Sequence, residues 1–389
     1  MKKISLVSSS RADYGILKNL IFKMQKDKKI DLSFYVTGSH LQNKFGKTVN
    51  EIIKDKIIIK KKIRIDVKGD KNWDIANAVS TGIRKFSQEF KKNKPDILLV
   101  LGDRYEIFSV AVAAMTHQIP IAHIHGGEST EGIIDEAIRH SITKMSHIHF
   151  VSTKKYFKRL IQLGEKKQNI FYVGSLGVEN LRFFNYQPLN KIKKKYKIFE
   201  KKILMITFHP ETLENNSKKN LLVLLSALKK FKNSALLFTM ANAEAGYKEI
   251  NNEIRSFCKK NKNAHYFKSM GQDLYFSLCK KADCIIGNSS SGIIEAPSLI
   301  TPTINLGNRQ LGRVKAKSVI SIDFNKKKII KTIQNSLNFK NLKNSKKSEI
   351  FKNPYKKNNT SDNILKKLKS FKTKNILIKK FNDLNFKTK

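Results

Sequence analysis

The chain of 389 residues is poor in cysteine, proline, tryptophan and arginine. Its three cysteines, Cys258, Cys279 and Cys284, are odd in number and show no metal-ligand or redox spacing. That excludes a disulfide scaffold and leads us to expect a cytoplasmic protein with free thiols. Seven prolines and 18 glycines are too few for a collagen-like or low-complexity chain. Long apolar runs are also missing. After Met1-Lys2-Lys3 the run Ile4 to Val7 soon meets Arg11 and Asp13, far short of a signal-peptide core. The longest uncharged stretch, Ile107 to Gly127, contains Pro120, three histidines and two terminal glycines, so no membrane insertion is expected. Acidic residues are scarce, 31 against 77 basic ones, for a formal charge of +46. Such a field attracts polyanions. Only 10 of the 77 are arginines, however, and arginine is the usual residue for bidentate phosphate or base recognition. The lysines read as a solvated surface, and no nucleic-acid partner is expected.

What is present is enough apolar material, 40% of residues, for a sizeable core and about two domains. Short apolar runs end in Gly, Ser or His: Ile4 to Val7, Ile97 to Leu101, Ile119 to Ile124, Ile148 to Val151, Ile203 to Phe208, Ala235 to Phe238, Cys284 to Ile286 and Thr303 to Leu306. They alternate with helical spacings such as Ile16, Leu17, Leu20, Ile21, Met24 and Leu221, Leu222, Leu225, Leu228. Strands alternating with helices predict parallel sheets covered on both faces, with ligands at the carboxyl ends of the strands. Dense charge without strand signal from Asn180 to Lys202 marks a boundary. We therefore expect an α/β protein of two doubly wound domains, residues 1–180 and 181–350, then a helical region 351–374 and a basic tail 375–389, the tail read as a packed terminal helix or a peripheral contact.

The loops after the strands hold the chemistry-bearing residues. Ser8-Ser9-Ser10-Arg11-Ala12-Asp13-Tyr14-Gly15 puts Arg11 at a helix N-terminus and reads as a phosphate pocket, or else as a helix capped by Ser10 or Asp13. Neither a dinucleotide fingerprint nor a P-loop is present. Gly102-Asp103-Arg104 places a carboxylate and a guanidinium at a strand end, suited to moving a proton beside an oxyanion, or paired with each other. Six of the nine histidines lie between His117 and His149. His123 and His125 would share one strand face and make a metal pair, so a metal hydrolase competes, although no third ligand stands at a recognised spacing. Asp135 and Arg139, and Glu136 and His140, are i,i+4 pairs on the following helix. In the second half, Phe208-His209-Pro210-Glu211 and Asn288-Ser289-Ser290-Ser291-Gly292 follow strands. The serines open a helix containing Glu295, so hydroxyls and N–H groups would face a pyrophosphate and Glu295 two ribose hydroxyls. Gly307-Asn308-Arg309-Gln310 adds an arginine at another strand end.

In order along the chain, Arg11-Ala12-Asp13-Tyr14-Gly15, Gly102-Asp103-Arg104, His123-Ile124-His125-Gly126-Gly127-Glu128, Ile138-Arg139-His140, His209-Pro210, Asn288-Ser289-Ser290-Ser291-Gly292 and Gly307-Asn308-Arg309-Gln310 resemble the hydrolysing UDP-N-acetylglucosamine 2-epimerase family, over residues 1 to about 370. The resemblance implies a GT-B-like architecture with UDP held by the C-terminal domain and the active site in the cleft. It implies elimination of UDP to a 2-acetamidoglycal, then hydration to N-acetylmannosamine, without metal or cofactor. Asp103 and Asp135 match family catalytic carboxylates, and His209 a position near the diphosphate or sugar that we group with the catalytic set. Arg11, Arg104, Ser289, Ser290 and Arg309 match positions near diphosphate or sugar, Glu295 the ribose-binding acid, and Asn242 another nucleotide contact. Several members read His-Ile-Glu-Gly-Gly-Glu where this chain has His125, so proton transfer there falls to His125 or to Glu128. The substrate expected is a UDP-sugar, UDP-N-acetylglucosamine first and a UDP- or GDP-linked N,N′-diacetylbacillosamine as the alternative. A non-hydrolysing epimerase is disfavoured by the forms of the first two loops. A homo-oligomer, dimer or tetramer, is expected.

Overall fold

In the computed structural model the apolar runs of the first half become the interior of a parallel sheet. Its strands are β1 (Lys2–Ser8), β2 (Ile30–Val36), β3 (Lys61–Lys62), β4 (Ile97–Leu101), β5 (Ile121–Ile124), β6 (Ile148–Val151) and β7 (Ile170–Tyr172), in the order β3-β2-β1-β4-β5-β6-β7. The structure describes residues 1–66, 69, 71–211, 213, 216–241, 244–339, 348–372 and 375–384. All five residues of β4 are buried, as a strand covered on both faces requires. Ile97, Leu99 and Leu101 point into one core with Ile4 and Leu6, whereas Leu98 and Val100 point into the opposite one. Helices Arg11–Lys26 and Thr360–Ser370 supply the first core, and Asn72–Lys92 and Tyr105–Thr116 the second.

The second sheet repeats this plan with β8 (Lys202–Thr207), β9 (Ser234–Thr239), β10 (Ala264–Phe267), β11 (Cys284–Gly287), β12 (Thr303–Leu306) and β13 (Val319–Ile322), ordered β10-β9-β8-β11-β12-β13. All its pairings are parallel. Leu204 and Ile206 face one core and Ile203 and Met205 the other. Each sheet therefore reverses its winding at one point, between β1 and β4 and between β8 and β11. In open parallel sheets that switch point is where ligands bind. Both sheets have the doubly wound, Rossmann-like form of the GT-B-like class.

The chain separates into two units, one of Met1–Glu128, Ile134–Glu179 and the described residues from Lys357 onward, the other of Ser129–Ile133 and Asn180–Lys356. The short excursion Ser129–Ile133 is tied to the second unit by the Glu131 amide, which donates to the Leu311 carbonyl at 3.2 Å. Helix Thr360–Ser370 returns to the first unit. Ile364, Leu365 and Leu368 enter its core, and Thr360 Oγ1 donates to the Val173 carbonyl at 2.8 Å. Of the tail, residues 385–389 lie outside the described residues; in the rest no terminal helix forms, since Asn375 begins a turn and residues 378–384 are irregular. Leu377, Ile378, Phe381 and Leu384 stand at helical spacing, but Ile378 and Phe381 are largely exposed, so a helix here would have no core to pack its apolar stripe against. The tail is anchored instead by Lys379, whose ammonium donates to the carbonyls of Lys144 and Ser146 and to Glu165.

Candidate functional site

At the first switch point the loop after β1 is a capped helix start. Ser10 caps helix Arg11–Lys26, and the Asp13 carboxylate accepts from the Ser9 and Ser10 amides at 3.0 Å and from both hydroxyls. The backbone donors expected to cradle a phosphate are thus taken by Asp13. Arg11, at the first helical position and half-buried, carries the loop's positive charge. Behind it His40 is fully buried, its Nε2 3.0 Å from Ser8 Oγ and its Nδ1 2.8 Å from Thr48 Oγ1. Burial pushes this imidazole down to about 4.

After β4, Gly102 adopts a φ of +74°, turning the chain so that Asp103 and Arg104 leave the strand end. The two do not pair with each other. Arg104 grips fully buried Glu106 through Nε and Nη2, at 3.1 and 3.2 Å, and although burial opposes its charge, Glu106 holds the guanidinium well above its ordinary range. Asp103 is held by Arg139, a guanidinium 1% exposed that also meets Glu136 at 2.6 Å and the Glu128 carbonyl at 3.1 Å. The buried guanidinium fixes where the carboxylate points. The second expected helical pair is present, with His140 Nε2 3.0 Å from Glu136. Asp135 opens helix Asp135–Met145.

The metal pair on one strand face does not form. β5 ends at Ile124, and His125 lies beyond it with a left-handed φ of 67°, so the two rings do not continue one strand face. His123 is fully buried with both nitrogens engaged, Nε2 2.7 Å from the Gly102 carbonyl and Nδ1 3.2 Å from Thr143 Oγ1. Burial pushes its pKa down to about 3. Its role is to hold the carbonyl that precedes Asp103. His125 instead approaches Glu128, Nδ1 to Oε1 3.7 Å, and Glu128 accepts from Ser152 Oγ at 2.7 Å. Both sit within the buried end of the first unit, which brings the two alternative proton-transfer groups into one cluster.

At the second switch point the clasp is neutral. Asn288, fully buried just after β11, accepts from the His209 amide at 2.7 Å and donates to its carbonyl at 2.8 Å, tying the loops after β8 and β11 together. The Asn288 carbonyl in turn accepts from Gln310 Nε2 at 3.0 Å and Arg309 Nη1 at 3.3 Å. Arg309 Nη2 meets Glu244 at 2.9 Å, and His209 Nδ1 lies 3.7 Å from the same oxygen. Ser289 and Ser290 are half-buried beside this cluster. The expected helix containing Glu295 is only one α-turn, Ser291–Ile294, continued after Glu295 by a 3-10 turn, Ala296–Leu299, because Pro297 cannot donate. Glu295 is buried at that junction. Asn242 lies outside the described residues.

Several supporting groups were not visible in the sequence reading. Glu211 was read only as part of a strand-end segment, yet its carboxylate accepts from the Asn308 and Arg309 amides, each at 3.0 Å, and so shapes the arginine loop. Glu106, Ser152 and Glu244 carry no motif signal. Arg139 is legible as the i,i+4 neighbour of Asp135 and within Ile138-Arg139-His140, but its pairing with Asp103, 36 positions away, is not.

Carboxylates and imidazoles gather at the switch point of one sheet, and serines and an arginine at that of the other, in a protein of two Rossmann-like α/β units. The sequence profile of the UDP-N-acetylglucosamine 2-epimerases matches residues 22–369, and the chain belongs to that family. The polysialic acid biosynthesis protein P7 of Escherichia coli is 41% identical over 387 residues, 99% of this chain and 98% of its own. The GDP/UDP-N,N′-diacetylbacillosamine 2-epimerase (hydrolyzing) of Campylobacter jejuni is 42% identical over 329 residues, 83% of this chain and 85% of its own. In fold, the chain is similar to the UDP-GlcNAc 2-epimerase of Neisseria meningitidis, solved bound to UDP-GlcNAc, with a TM-score of 0.78 at 20% identity, over 95% of this chain and 99% of that one. Among the described residues no helix is long and apolar enough to cross a membrane.

Proposed function

We propose that the chain is a hydrolysing 2-epimerase that converts UDP-N-acetylglucosamine and water to N-acetylmannosamine and UDP. The observation that carries this reading is Asp103, an arginine-bound carboxylate at the first switch point of a chain in this family. The proton on sugar carbon 2 is weakly acidic, so its removal needs a positioned base and a stabilised leaving group together. Asp103 takes that proton, and the C–H electron pair becomes the C1–C2 double bond as the C1–O bond to the diphosphate breaks. Arg139 keeps Asp103 aimed. Water then adds across the double bond, hydroxyl to C1 and proton to C2 from the opposite face, and the free 2-epimer is released. The His125–Glu128 pair and Asp135 serve this second stage. His209, with Arg11, Arg104, Arg309, Ser289 and Ser290, receives charge on the departing UDP, and Glu295 and Asn242 hold the nucleoside. The enzyme is proposed to act in the cytoplasm as a homo-oligomer.

The likeness over nearly the full length to a polysialic acid biosynthesis protein supports N-acetylmannosamine as product, since sialic-acid-type sugars are built from it. The Campylobacter relative supports a second reading, a diacetylbacillosamine nucleotide as substrate of the same reaction. Product analysis decides. N-acetylmannosamine plus UDP from UDP-N-acetylglucosamine supports the first reading, and turnover of the diacetylated nucleotide alone supports the second. Intact UDP-N-acetylmannosamine as final product would sink both.

A further inference from the structure

Away from both switch points, a cavity of about 240 Å³ lies in the first unit between the β6–β7 region and the C-terminal tail. Four lysines line it, Lys166, Lys372, Lys379 and Lys380, against one carboxylate, Glu165. Glu165 is already engaged by Lys144 Nζ and His149 Nε2, both at 2.9 Å. Lys379 is held at 2.7 Å from Glu165 and spends its remaining donors on backbone carbonyls, so it contributes charge rather than a free N–H. Lys166, Lys372 and Lys380 have no carboxylate partner among the described residues.

The wall also holds His147, only 8% exposed. Its Nδ1 accepts from the Ile121 amide at 3.2 Å, which puts the proton of the neutral ring on Nε2. Among the described residues that N–H has no protein partner. Burial first, then the charge of Lys379, pushes this imidazole down to about 4, so at neutral pH it is an uncharged donor in a cationic cavity. An excess of confined cations costs free energy, and one anion relieves it while accepting from this N–H in place of solvent.

We propose that this cavity is a second anion site, separate from the UDP site, that takes a small molecule bearing a phosphate dianion. Two negative charges match the lysine excess better than a single carboxylate does, and phosphate offers several acceptor oxygens to converging donors.

The test uses the full-length protein with UDP saturating, so that the family site is filled. Inorganic phosphate is titrated calorimetrically, and the His147 ring is followed by NMR. The expected result is one saturable phosphate site per chain, with the His147 pKa rising as phosphate offsets the field of Lys379 against the balance set by His149 and Glu165. His147→Phe should weaken phosphate binding about tenfold or more. The exposed pair Lys372→Glu and Lys380→Glu, which leaves the core untouched, should do the same while UDP binding stays unchanged. Phosphatidic acid vesicles form the second arm. Co-sedimentation lost in the double variant, without binding of free phosphate, would assign the phosphate to a lipid headgroup. Phosphate binding that both variants leave unchanged, or no saturable binding to either probe, overturns the proposal.

Discussion

The two units wind their sheets in the same order and place their functional loops at the same point, yet they hold those loops by opposite means. In the first unit the loop after β4 is fixed by charge, with Asp103 on Arg139 and Arg104 on Glu106. In the second the loop after β11 is fixed by a neutral amide clasp from Asn288 to the His209 backbone. The difference follows from what each is proposed to do. A base must stay aimed, which the buried guanidinium ensures. At the second switch point the carboxylates act one loop further on, where Glu211 accepts from the Asn308 and Arg309 amides and Glu244 meets Arg309, so the clasp around Asn288 itself carries no charge. The glycines tell the same story: Gly102 has open space around it, whereas Gly287 is pressed against the backbone of β8.

The largest effect should come from Asp103→Asn. If Asp103 is the base, turnover falls roughly 10²–10⁴-fold while UDP affinity changes little; stability falls by about 1–3 kcal/mol because buried Arg139 loses one of its two carboxylates, Glu136 remaining. Steady-state kinetics with isothermal UDP titration checks this. Turnover near the parent value would remove Asp103 from the chemistry and make the charged loop merely structural.

Next is Gly287→Ala, aimed at the neutral side. Gly287 has a φ of +132°, and a Cβ there would overlap the Thr207 carbonyl, with which it shares a register position between β8 and β11. The expected loss is about 2–4 kcal/mol, with weakened UDP binding as the Asn288 clasp shifts. Hydrogen exchange should show the loss in the second sheet. Protection unchanged there would mean the strand pair is not as tight as its geometry implies.

How much of this difference could be read beforehand depends on burial. The continuous apolar runs reveal the interior strands β1, β4, β5, β6, β8, β9, β11 and β12. They pass over β3, β7, β10 and β13, which are the four sheet edges, and β2, whose Ile30-Asp31-Leu32-Ser33 start alternates. Edge strands are half-exposed and need no apolar run, so periodicity has little to detect. Motif residues at strand ends were legible because their types are rare there. Their partners were not: Arg139 with Asp103, Ser152 with Glu128 and Glu211 with the Arg309 loop are joined only by the winding of the sheet. The described part of the tail is ordered by Lys379 reaching three carbonyls, a contact that no sequence period announces.

A pH experiment separates the units by a smaller margin. His40 and His123 are neutral in the native first unit, pushed down to about 4 and about 3 by burial, while the unfolded chain titrates near 6.5. Between those values the unfolded state binds more protons, so their stabilising effect is intact above about pH 6.5 and is lost as pH falls toward 4. From pH 6.5 to 5 the loss is on the order of 1–2 kcal/mol per ring. Urea midpoints resolved by unit through hydrogen exchange should fall first in the N-terminal sheet. Parallel falls in both sheets would show that the buried histidines do not control acid sensitivity.

The smallest expected effect is Gly102→Ala, the counterpart of the Gly287 substitution. No heavy atom lies within 4 Å of a Cβ built there, so the only cost is forcing an L-residue into a φ of +74°, about 1 kcal/mol. The His123 ring grips the Gly102 carbonyl and Arg139 grips Asp103, so the turn has support on both sides and should survive the strain. Stability should drop by about that amount with turnover reduced only a few-fold. A loss as large as that from Gly287→Ala would mean that the open space at the charged loop belongs to its function, and the contrast between a clamped base and a packed cradle would have to be redrawn.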